Sequence, residues 1–323
     1  MKILITTVPF GEKDKSPIKL LEKSNIRYSL NPKNEKLTES ELAEIIHDYD
    51  ALIAGTEKIG KKVLQNAKKL KLISRVGIGL DGVDLHEAKK RNIKVSYTPD
   101  APTLAVSELT ICLMLSVLRS VHISNSQMHK GKWLRHFGRR LSEVKIGLIG
   151  VGRIGKKVIE HLKGFDVKKI MANDLENNKY YTRELKIDWL DKEEIYKEAD
   201  IISLHLPLNK LTKDMISGKQ LLSMKKNASL INTSRGGIVN EIDLYNVLVS
   251  GHLGNVAIDV FDKEPYKGNL QKIERCLLTS HIGSMSVDCR TKMEIQATEE
   301  VIRYFDNKEL KNQVPDEEYL MQI

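Results

Sequence analysis

The sequence has few cysteines, no long apolar run and no leader-like start. Its three cysteines, Cys112, Cys276 and Cys289, are scattered, which excludes a disulfide framework or zinc-ligand spacing and fits a reducing cytoplasm. No apolar stretch reaches the roughly 18 residues that a membrane span needs. The first residues, MKILITTV, are typical of a β-strand and not of a signal peptide. We therefore expect a cytoplasmic globular protein, and 323 residues suggest two domains.

Positive charge is abundant but evenly spread. The formal net charge is +9, and lysine supplies most of it. A basic surface would suit nucleic-acid binding. However, the lysines occur singly or in short pairs such as Lys61–Lys62 and Lys68–Lys69, without interleaved aromatic residues or a recognition motif. We therefore expect a solvated surface with neither a nucleic-acid nor a membrane partner, and its positive field would also attract an anionic substrate.

Two series of short apolar strands alternate with helix signals along the chain. The first series lies before residue 100 and the second begins at residue 144. The candidate strands are KILITTV, IRYSL, ALIAG, LKLISRV and IKVSYT in the first series, and VKIGLIG, KKIMAND, IISLHLP, SLINTS, NVAIDV and CLLTSHI in the second. Such alternation predicts parallel sheets and hence the α/β class.

Two longer helices are predicted between and after these series. One runs from about Ala101 to Val121, and its stretch 109–118 is apolar nearly all round, so it should be buried. The other runs from about Ser286 to Asp306. The pattern predicts two Rossmann-like parallel-sheet domains, in which residues 100–286 form a domain inserted between the segments 1–99 and 287–323 of the other.

A glycine-rich turn follows the first strand of the second series. In VKIGLIGVGRIGKKVIE, Gly150 permits a tight turn, Gly152 lets a pyrophosphate approach the backbone, and Gly155 lets the next helix pack closely. The free N–H groups and the dipole of that helix then face the phosphates. Asp174, 19 residues after Gly155, is placed to bind ribose hydroxyls and repel a 2′-phosphate. No arginine follows it until Arg183, so NAD is favoured over NADP; an unrelated glycine turn is the alternative.

Three further segments end strands of the second series: Asn232-Thr-Ser-Arg235, Asp259 to Glu264, and Thr279-Ser-His281. Because ligands lie at the carboxyl ends of parallel strands, these segments could converge on one cleft. Histidine suits the proton transfer that accompanies hydride transfer, a carboxylate orients the imidazole, and arginine holds a carboxylate or carbonyl. From position alone each has an ordinary alternative: a helix entry for the arginine, a solvated loop for the glutamate and a strand cap for the histidine.

Together these motifs resemble the D-isomer-specific 2-hydroxyacid dehydrogenase family, from Ile3 to about Asp306. The segments that carry the resemblance are Arg75-Val-Gly-Ile-Gly-Leu-Asp-Gly-Val-Asp84, Ser107-Glu-Leu, Gly150–Gly155, Leu204-His-Leu-Pro207 with Thr212, Ser234-Arg-Gly-Gly-Ile-Val, Asp259-Val-Phe through Glu264-Pro, and His281-Ile-Gly. The resemblance implies an NAD-dependent enzyme that interconverts a small D-2-hydroxy acid and its 2-keto acid. It also implies a flavodoxin-like substrate domain at 1–99 and 287–323, an NAD-binding Rossmann domain at 100–286, and a homodimer formed through the latter.

The resemblance further implies roles for individual residues. Arg235 would bind and polarise the substrate carboxylate and carbonyl, His281 would be the general acid/base, and Glu264 would be its partner. Substrate contacts would come from Arg235, His281 and the segment Arg75, Val76, Gly77, Ile78 and Gly79. Cofactor contacts would come from the glycine loop and the strand ends: Gly150, Gly152, Arg153, Ile154, Gly155, Asp174, Leu206, Pro207, Thr212, Thr233, Ser234, Arg235, Asp259, His281 and Gly283. No metal site is predicted.

Some positions depart from the family pattern. Ser280 stands where proline commonly precedes the histidine, and Asn240 replaces a frequent aspartate. Ala54 lies where many phosphoglycerate dehydrogenases carry an arginine for the substrate phosphate, although Arg75 remains. Both 3-phosphoglycerate and glycerate or hydroxypyruvate therefore stay open as substrates, with the first weakened. An NAD-sensing regulatory protein, similar to the corepressors of this family, is the alternative function.

Overall fold

The computed structural model of the chain describes residues 1–175 and 187–322. The chain forms two compact units: the first unit is Met1–Pro102 with Ser284–Ile323, and the second unit is Thr103–Gly283. Each unit contains one parallel sheet. This confirms the α/β class and the insertion of one parallel-sheet domain in the other.

The first unit is built on a five-stranded parallel sheet in the order β2-β1-β3-β4-β5. Its strands are short, and β3 and β4 are buried along their whole length, as expected for central strands of a covered parallel sheet. The strands are β1 (Lys2–Ile5), β2 (Arg27–Leu30), β3 (Ala51–Ala54), β4 (Leu72–Arg75) and β5 (Lys94–Ser96). The strand order reverses between β1 and β3, which is where open α/β sheets bind ligands.

The second unit is built on a seven-stranded parallel sheet in the order β12-β11-β10-β9-β6-β7-β8. Its order reverses between β6 and β9, so the loops after these two strands flank the expected dinucleotide crevice. The strands are β6 (Lys145–Ile149), β7 (Lys169–Asn173), β8 (Ile187–Trp189), β9 (Ile201–Leu204), β10 (Ser229–Asn232), β11 (Val256–Ile258) and β12 (Cys276–Leu278).

Helices connect most of these strands. Within the described residues, the α-helices are α1 (Ser16–Lys23), α2 (Glu39–Ile45), α3 (Lys61–Asn66), α4 (Leu85–Lys90), α5 (Thr103–Leu118), α6 (Val121–His129), α7 (Arg153–Leu162), α8 (Lys192–Glu198), α9 (Gly218–Ser223), α10 (Glu241–Val249), α11 (Val287–Phe305) and α12 (Asp316–Met321). Short 3₁₀ turns cover Ile46–Asp48, Leu141–Glu143, Lys163–Phe165 and Asn269–Lys272. The long helix predicted from Ser286 to Asp306 is confirmed as α11.

Local side-chain caps explain where several helices begin. The Thr38 hydroxyl accepts from the Glu41 amide while the Glu41 carboxylate accepts from the Thr38 amide, a capping box that starts α2. Asn240 accepts from the Asp243 amide at the start of α10. Asparagine and aspartate cap helices about equally well, so the Asn240 departure preserves the local structure.

The helix predicted from Ala101 to Val121 is interrupted. It ends at Leu118, and Ser120 adopts a left-handed conformation (φ 50°) before α6 begins in a new direction. The prediction of one continuous helix was therefore wrong at its carboxyl end. The predicted burial of α5 is only partly met, because Ile111, Leu113, Met114 and Val117 are buried but Cys112 is exposed. Among the described residues no single helix is long and apolar enough to cross a membrane. The pair α5 and α6, which is bent by 67°, has the length and composition of a membrane span only when the two helices are taken together.

A short extended segment borders the first unit's sheet. The Asn312 carbonyl accepts from the Tyr97 amide (3.1 Å), and the Val314 amide donates to the Val95 carbonyl (2.9 Å). Ser96 and Gln313 form an antiparallel bridge. The segment thus lies along β5, and the Val314 side chain is buried in the hydrophobic core of this unit.

Candidate active site

The predicted glycine loop connects β6 to α7 in the second unit. Gly150 has φ +94°, and a Cβ atom there would lie 2.4 Å from the His205 carbonyl oxygen. A Cβ atom on Gly155 would lie 2.2 Å from the Gly150 carbonyl oxygen. Both positions therefore require glycine. At Gly152 nothing lies within 4 Å of the equivalent point, which leaves the space that a pyrophosphate would need.

The first turn of α7 follows this loop directly. Gly152 is its N-cap residue and supplies no side-chain hydrogen bond to the turn. Arg153 is exposed and Ile154 is half-buried. The amide groups of this turn and the positive end of the helix dipole thus suit an anionic ligand.

Asp174 lies at the end of β7, beside the glycine loop. One carboxylate oxygen accepts from the Val151 amide (2.5 Å) and the other from the Leu175 amide (2.6 Å). A carboxylate has about four acceptor sites, so capacity for ribose hydroxyl groups remains. Arg183, which bears on the choice between NAD and NADP, lies outside the described residues.

The loop after β9 carries the predicted residues Leu206, Pro207 and Thr212. The Thr212 hydroxyl donates to the Pro207 carbonyl (2.6 Å) and accepts from the Asn209 amide (2.9 Å), which fixes the bend of this loop. Leu206 lies against Gly150, because a Cβ atom there would be 3.0 Å from Leu206 Cδ2. These residues therefore border the glycine loop across the point where the strand order reverses.

His205, in the same loop, is a histidine of a different kind from His281. Its Nε2 lies 2.9 Å from the Ser203 hydroxyl, and burial lowers its pKa to about 4. The imidazole is therefore neutral at ordinary pH, and the carbonyl oxygen of this residue borders the glycine loop at Gly150.

Thr233, Ser234 and Arg235 follow β10, where the Asn232 side chain shapes the turn. The Asn232 Oδ1 accepts from the Ser234 amide (3.1 Å) and hydroxyl (2.7 Å), and its Nδ2 donates to the Arg235 carbonyl (3.0 Å). The Thr233 hydroxyl lies 2.9 Å from the Thr110 hydroxyl on α5. The Arg235 guanidinium donates to the Ser234 carbonyl (2.6 Å) and is partly exposed.

Asp259 is buried at the end of β11 and holds the loop after β12. Its Oδ1 accepts from the Thr279 hydroxyl (2.6 Å) and the Ile282 amide (2.9 Å), and its Oδ2 accepts from the Gly283 amide (3.0 Å). Its carbonyl accepts from the His281 amide (2.8 Å). Burial raises the pKa of the Asp259 carboxyl group, and these hydrogen bonds oppose the shift. Asp259 thus positions the backbone on both sides of His281.

His281 and Glu264 form a hydrogen-bonded pair. The His281 Nδ1 lies 2.8 Å from one Glu264 oxygen and 3.0 Å from the other. Glu264 is itself fixed, since its Oε1 accepts from the Phe261 amide (3.1 Å). With the carboxylate on Nδ1, that nitrogen carries the proton of a neutral imidazole and Nε2 becomes the basic nitrogen. Among the described residues, no hydrogen bond involves the Nε2 atom of His281.

The backbone at His281 is also unusual. Its φ is 54°, in the left-handed region that side-chain-bearing residues rarely occupy. Such strain persists only where surrounding contacts impose it, and it concentrates at functional sites. Here the imposing contacts are the hydrogen bonds to Asp259 and Glu264.

The predicted substrate loop, Arg75–Gly79, lies in the first unit after β4. The Arg75 Nε and Nη2 donate to the Gly79 carbonyl (3.1 and 2.8 Å), and the Arg75 side chain is buried. The Gly77 amide donates to the Thr98 hydroxyl (2.8 Å), and the Val76 amide donates to the Ala54 carbonyl (2.9 Å). Arg75 therefore supports the shape of this loop.

Three polar residues that hold the site were given no role of their own in the sequence analysis: Asn232 and Thr110, which are buried, and Thr279, which is half-buried. Each has its side chain bonded to a residue that was predicted. Asn232 and Thr279 left a signal in the sequence, because each is a polar residue at the end of an apolar strand, shortly before Arg235 or His281 in its motif; Thr110 left none.

The described residues fit a bound dinucleotide. Open space at Gly152, the amide groups that start α7 and the Asp174 carboxylate supply a pyrophosphate site and a ribose site in the order that NAD requires. Among the described residues, no group of three or more histidine, cysteine, aspartate or glutamate side chains could hold a metal ion.

Comparisons with known proteins agree with this fit. The family model described as "D-isomer specific 2-hydroxyacid dehydrogenase, NAD binding domain" matches residues 111–283. The chain is 37% identical over 271 residues to the glyoxylate reductase of Thermococcus litoralis, which covers 78% of this chain and 79% of the relative. It is 33% identical over 277 residues to the hydroxypyruvate reductase of Thermotoga maritima, which covers 84% and 89% respectively.

A solved structure supports the same conclusion. The NAD-dependent formate dehydrogenase of Staphylococcus aureus, in complex with NAD, superposes with a TM-score of 0.87 at 25% identity and covers 98% of this chain and 99% of that one. None of the relatives named above is a regulatory protein, so the alternative of an NAD sensor has no support from them. The chain is an NAD-dependent oxidoreductase that transfers hydride between NAD(H) and a small D-2-hydroxy acid or its 2-keto acid. It belongs to the D-isomer specific 2-hydroxyacid dehydrogenase family.

Proposed function

We propose that this enzyme reduces a small, unphosphorylated 2-keto acid, such as glyoxylate or hydroxypyruvate, with His281 as the proton donor. The observation that carries the proposal is the hydrogen-bonded His281–Glu264 pair (2.8 Å), with Nε2 directed away from that pair. NAD(H), when bound, supplies the nicotinamide C4 that gives or takes the hydride.

The protein side of the reaction follows from three side chains. Arg235 binds the substrate carboxylate and polarises the carbonyl, because its planar guanidinium can contact two oxygens at once. In the reduction direction, the protonated His281 donates its Nε2 proton to the carbonyl oxygen, which becomes the hydroxyl group. Glu264 stabilises the imidazolium before this step and keeps the ring in its orientation. In oxidation the same Nε2 removes the hydroxyl proton.

The first unit supports an unphosphorylated substrate. Next to Ala54, the carboxylate of Glu57 is buried and accepts from the Gly55 amide (3.0 Å) and the Thr6 hydroxyl. A carboxylate at the point where the strand order reverses repels a phosphate dianion. The nearby Arg290 is already bonded to Glu294 (2.7 Å). The names of the glyoxylate and hydroxypyruvate reductases that the chain resembles favour the same substrate class.

We also propose that the enzyme is a homodimer formed through the second unit. The segment between α6 and the 3₁₀ turn at Leu141–Glu143 exposes three large apolar side chains. Trp133 is 78% exposed, Leu134 is 53% exposed and Phe137 is 106% exposed. Apolar groups clustered on an exposed segment are typical of a protein interface. Light scattering tests this proposal, and a monomer at micromolar concentration would refute it.

A substrate panel tests the proposed reaction. Glyoxylate, hydroxypyruvate, pyruvate and 3-phosphohydroxypyruvate are each offered with NADH and, separately, with NADPH, and cofactor oxidation is followed by absorbance. We expect turnover with NADH, with kcat/KM highest for one of the unphosphorylated acids. Turnover of none of them, or a clear preference for 3-phosphohydroxypyruvate, would contradict the proposal.

A further inference from the structure

A distant glutamine contacts the substrate loop of the first unit. The Gln322 Oε1 accepts from the Leu85 amide (2.8 Å), and its Nε2 donates to the Val83 carbonyl (2.5 Å) and, at longer range, to the Leu80 carbonyl (3.4 Å). A glutamine amide has two donor hydrogens and one acceptor oxygen, and both kinds of group are engaged here. The contacts join residues 237–242 positions apart in the sequence.

The segment that carries Gln322 is firmly attached to the first unit. It follows the stretch that lies along β5, and the Lys311 amide at its start donates to the buried Glu300 carboxylate (3.1 Å). Within α12, Tyr319 packs against the hydrophobic core, and the Lys89 ammonium lies over its ring (5.1 Å). The Gln322 amide is therefore delivered to the loop by an ordered scaffold, which reduces the entropy cost of its hydrogen bonds.

Most carbonyl groups of the substrate loop accept hydrogen bonds from other protein groups. The Gly77 carbonyl accepts from Thr98 (3.1 Å), the Gly79 carbonyl from Arg75 (2.8 Å), and the Gly82 carbonyl from Ile59 (2.7 Å). Gln322 adds a partner for the Val83 carbonyl and a second, longer one for the Leu80 carbonyl, which also accepts from the Val83 amide (3.0 Å). Among the described residues, no hydrogen bond uses the amide N–H of Ile78 or Gly79. Most acceptors of the loop are thus bonded to protein while these two donors remain, which is the arrangement that a carboxylate ligand needs.

We infer that Gln322 is a positioning residue, which holds the 77–83 loop so that its backbone amides bind the carboxylate of the 2-keto acid. The inference rests on the proposed function, because it assumes that this loop receives the substrate. Gln322 itself does not touch the substrate. Its effect on catalysis passes through the loop backbone and is confined to substrate binding.

The test compares Gln322→Ala with Leu320→Ala, which removes an exposed side chain from the same segment. We expect Gln322→Ala to raise the KM for glyoxylate or hydroxypyruvate about tenfold, since two hydrogen bonds are lost and water replaces them in part. We expect kcat and the Kd for NADH to change less than about twofold, because neither the acid/base pair nor the glycine loop is altered. Gln322→Glu keeps the acceptor for Leu85 but turns a carboxylate oxygen toward two carbonyls, so we expect a KM at least as high as that of Gln322→Ala.

Two results would overturn the inference. One is a KM for Gln322→Ala within about twofold of the Leu320→Ala value, and the other is an equal loss of kcat, NADH affinity and KM, which would indicate a general structural defect. Backbone amide exchange over residues 77–83 provides an independent readout, and faster exchange in Gln322→Ala than in Leu320→Ala is expected. If the unmodified enzyme reduces no 2-keto acid, the proposed function fails, and amide exchange alone decides whether Gln322 orders the loop.

Discussion

In the second unit the carboxyl ends of the strands lead to His281 and Glu264, whereas in the first unit they lead to Arg75 and Glu57. Each set lies at the carboxyl ends of the strands of its own parallel sheet. Each contains one carboxylate and one side chain that can carry a positive charge. In the second unit these two groups bond to each other. In the first unit each bonds to its own neighbouring backbone, Arg75 to the Gly79 carbonyl and Glu57 to the Gly55 amide.

This difference separates chemistry from recognition within one architecture. The His281–Glu264 pair leaves a ring nitrogen for proton transfer, and this is what hydride-transfer chemistry requires. In the first unit the charged groups stabilise loops, and the groups that remain for a ligand are backbone amides. A sheet edge therefore supplies the position of a site, while the hydrogen-bond partners of its side chains determine what the site can do.

The largest effect that would test this comparison is expected at His281. His281→Ala should lower kcat for keto-acid reduction by roughly a hundred- to ten-thousand-fold, because the carbonyl oxygen loses its proton donor. The Kd for NADH should be nearly unchanged. His129→Ala, at an exposed histidine of the same unit, is the control. Full activity in His281→Ala would contradict the proposal that His281 of the second unit is the proton donor.

Glu264→Gln should have the next largest effect. The amide is similar in size to the carboxylate but cannot stabilise a charged imidazole, and a hydrogen bond to a charged group contributes about 1.5–3 kcal/mol. We expect kcat to fall by about 10- to 100-fold with little change in KM. Steady-state kinetics at saturating NADH measures this, and Glu241→Gln, on the neighbouring α10, is the comparison variant. A KM effect without a kcat effect would assign Glu264 to substrate binding instead.

Asp174→Ser should change cofactor choice. Loss of the carboxylate removes a ribose acceptor and the repulsion of a 2′-phosphate, so we expect NADH to bind about tenfold more weakly and the preference over NADPH to fall. Asp188→Ser, at an exposed aspartate on the neighbouring strand β8, is the matched control. Fluorescence titration with both cofactors gives the two Kd values. An unchanged preference would mean that Asp174 serves only its backbone contacts.

The buried His205 should make the stability of the folded protein depend on pH. His205 has its pKa lowered to about 4 in the folded protein, so below the ordinary value near 6.5 the unfolded chain binds a proton that the folded chain does not. Its contribution to stability is therefore present above that value and is lost as pH falls toward 4. Between about pH 7 and about pH 5.5, the free energy of unfolding of His205→Gln should therefore fall by about 1 kcal/mol less than that of the unmodified protein. Urea unfolding measures this, with His129→Gln as the control, and identical pH dependence in both variants would contradict it.

The smallest predicted effect concerns Glu57. Glu57→Gln keeps an acceptor for the Gly55 amide but removes the charge that repels a phosphate, and a repulsion screened by water and salt amounts to roughly 1 kcal/mol or less. We expect the ratio of kcat/KM for 3-phosphohydroxypyruvate to that for hydroxypyruvate to rise about two- to fivefold. Glu35→Gln, at an exposed glutamate of the same unit, should leave the ratio unchanged.

Much of this molecule could be predicted from local patterns. The glycine loop depends on residues that are neighbours in sequence, so its spacing identifies it, whereas the roles expected of Arg235 and His281 came from the resemblance to the family. Contacts across long separations could not be predicted in this way. The bond between Gln322 and Val83 and the burial of Glu57 beside Thr6 depend on which strands and segments become neighbours in the folded unit. The interruption of α5 at Ser120 was also missed, because no glycine or proline marks that left-handed residue.

The antiparallel segment along β5 has a further consequence. An uncovered strand at the edge of a sheet exposes amide and carbonyl groups to which another chain can add a strand, and proteins protect such edges to avoid aggregation. Here the pairing of Asn312 and Val314 with β5 occupies those groups. The segment that leads to Gln322 therefore also protects one edge of the sheet, and a variant that detached it would be prone to self-association as well as impaired in the proposed substrate binding.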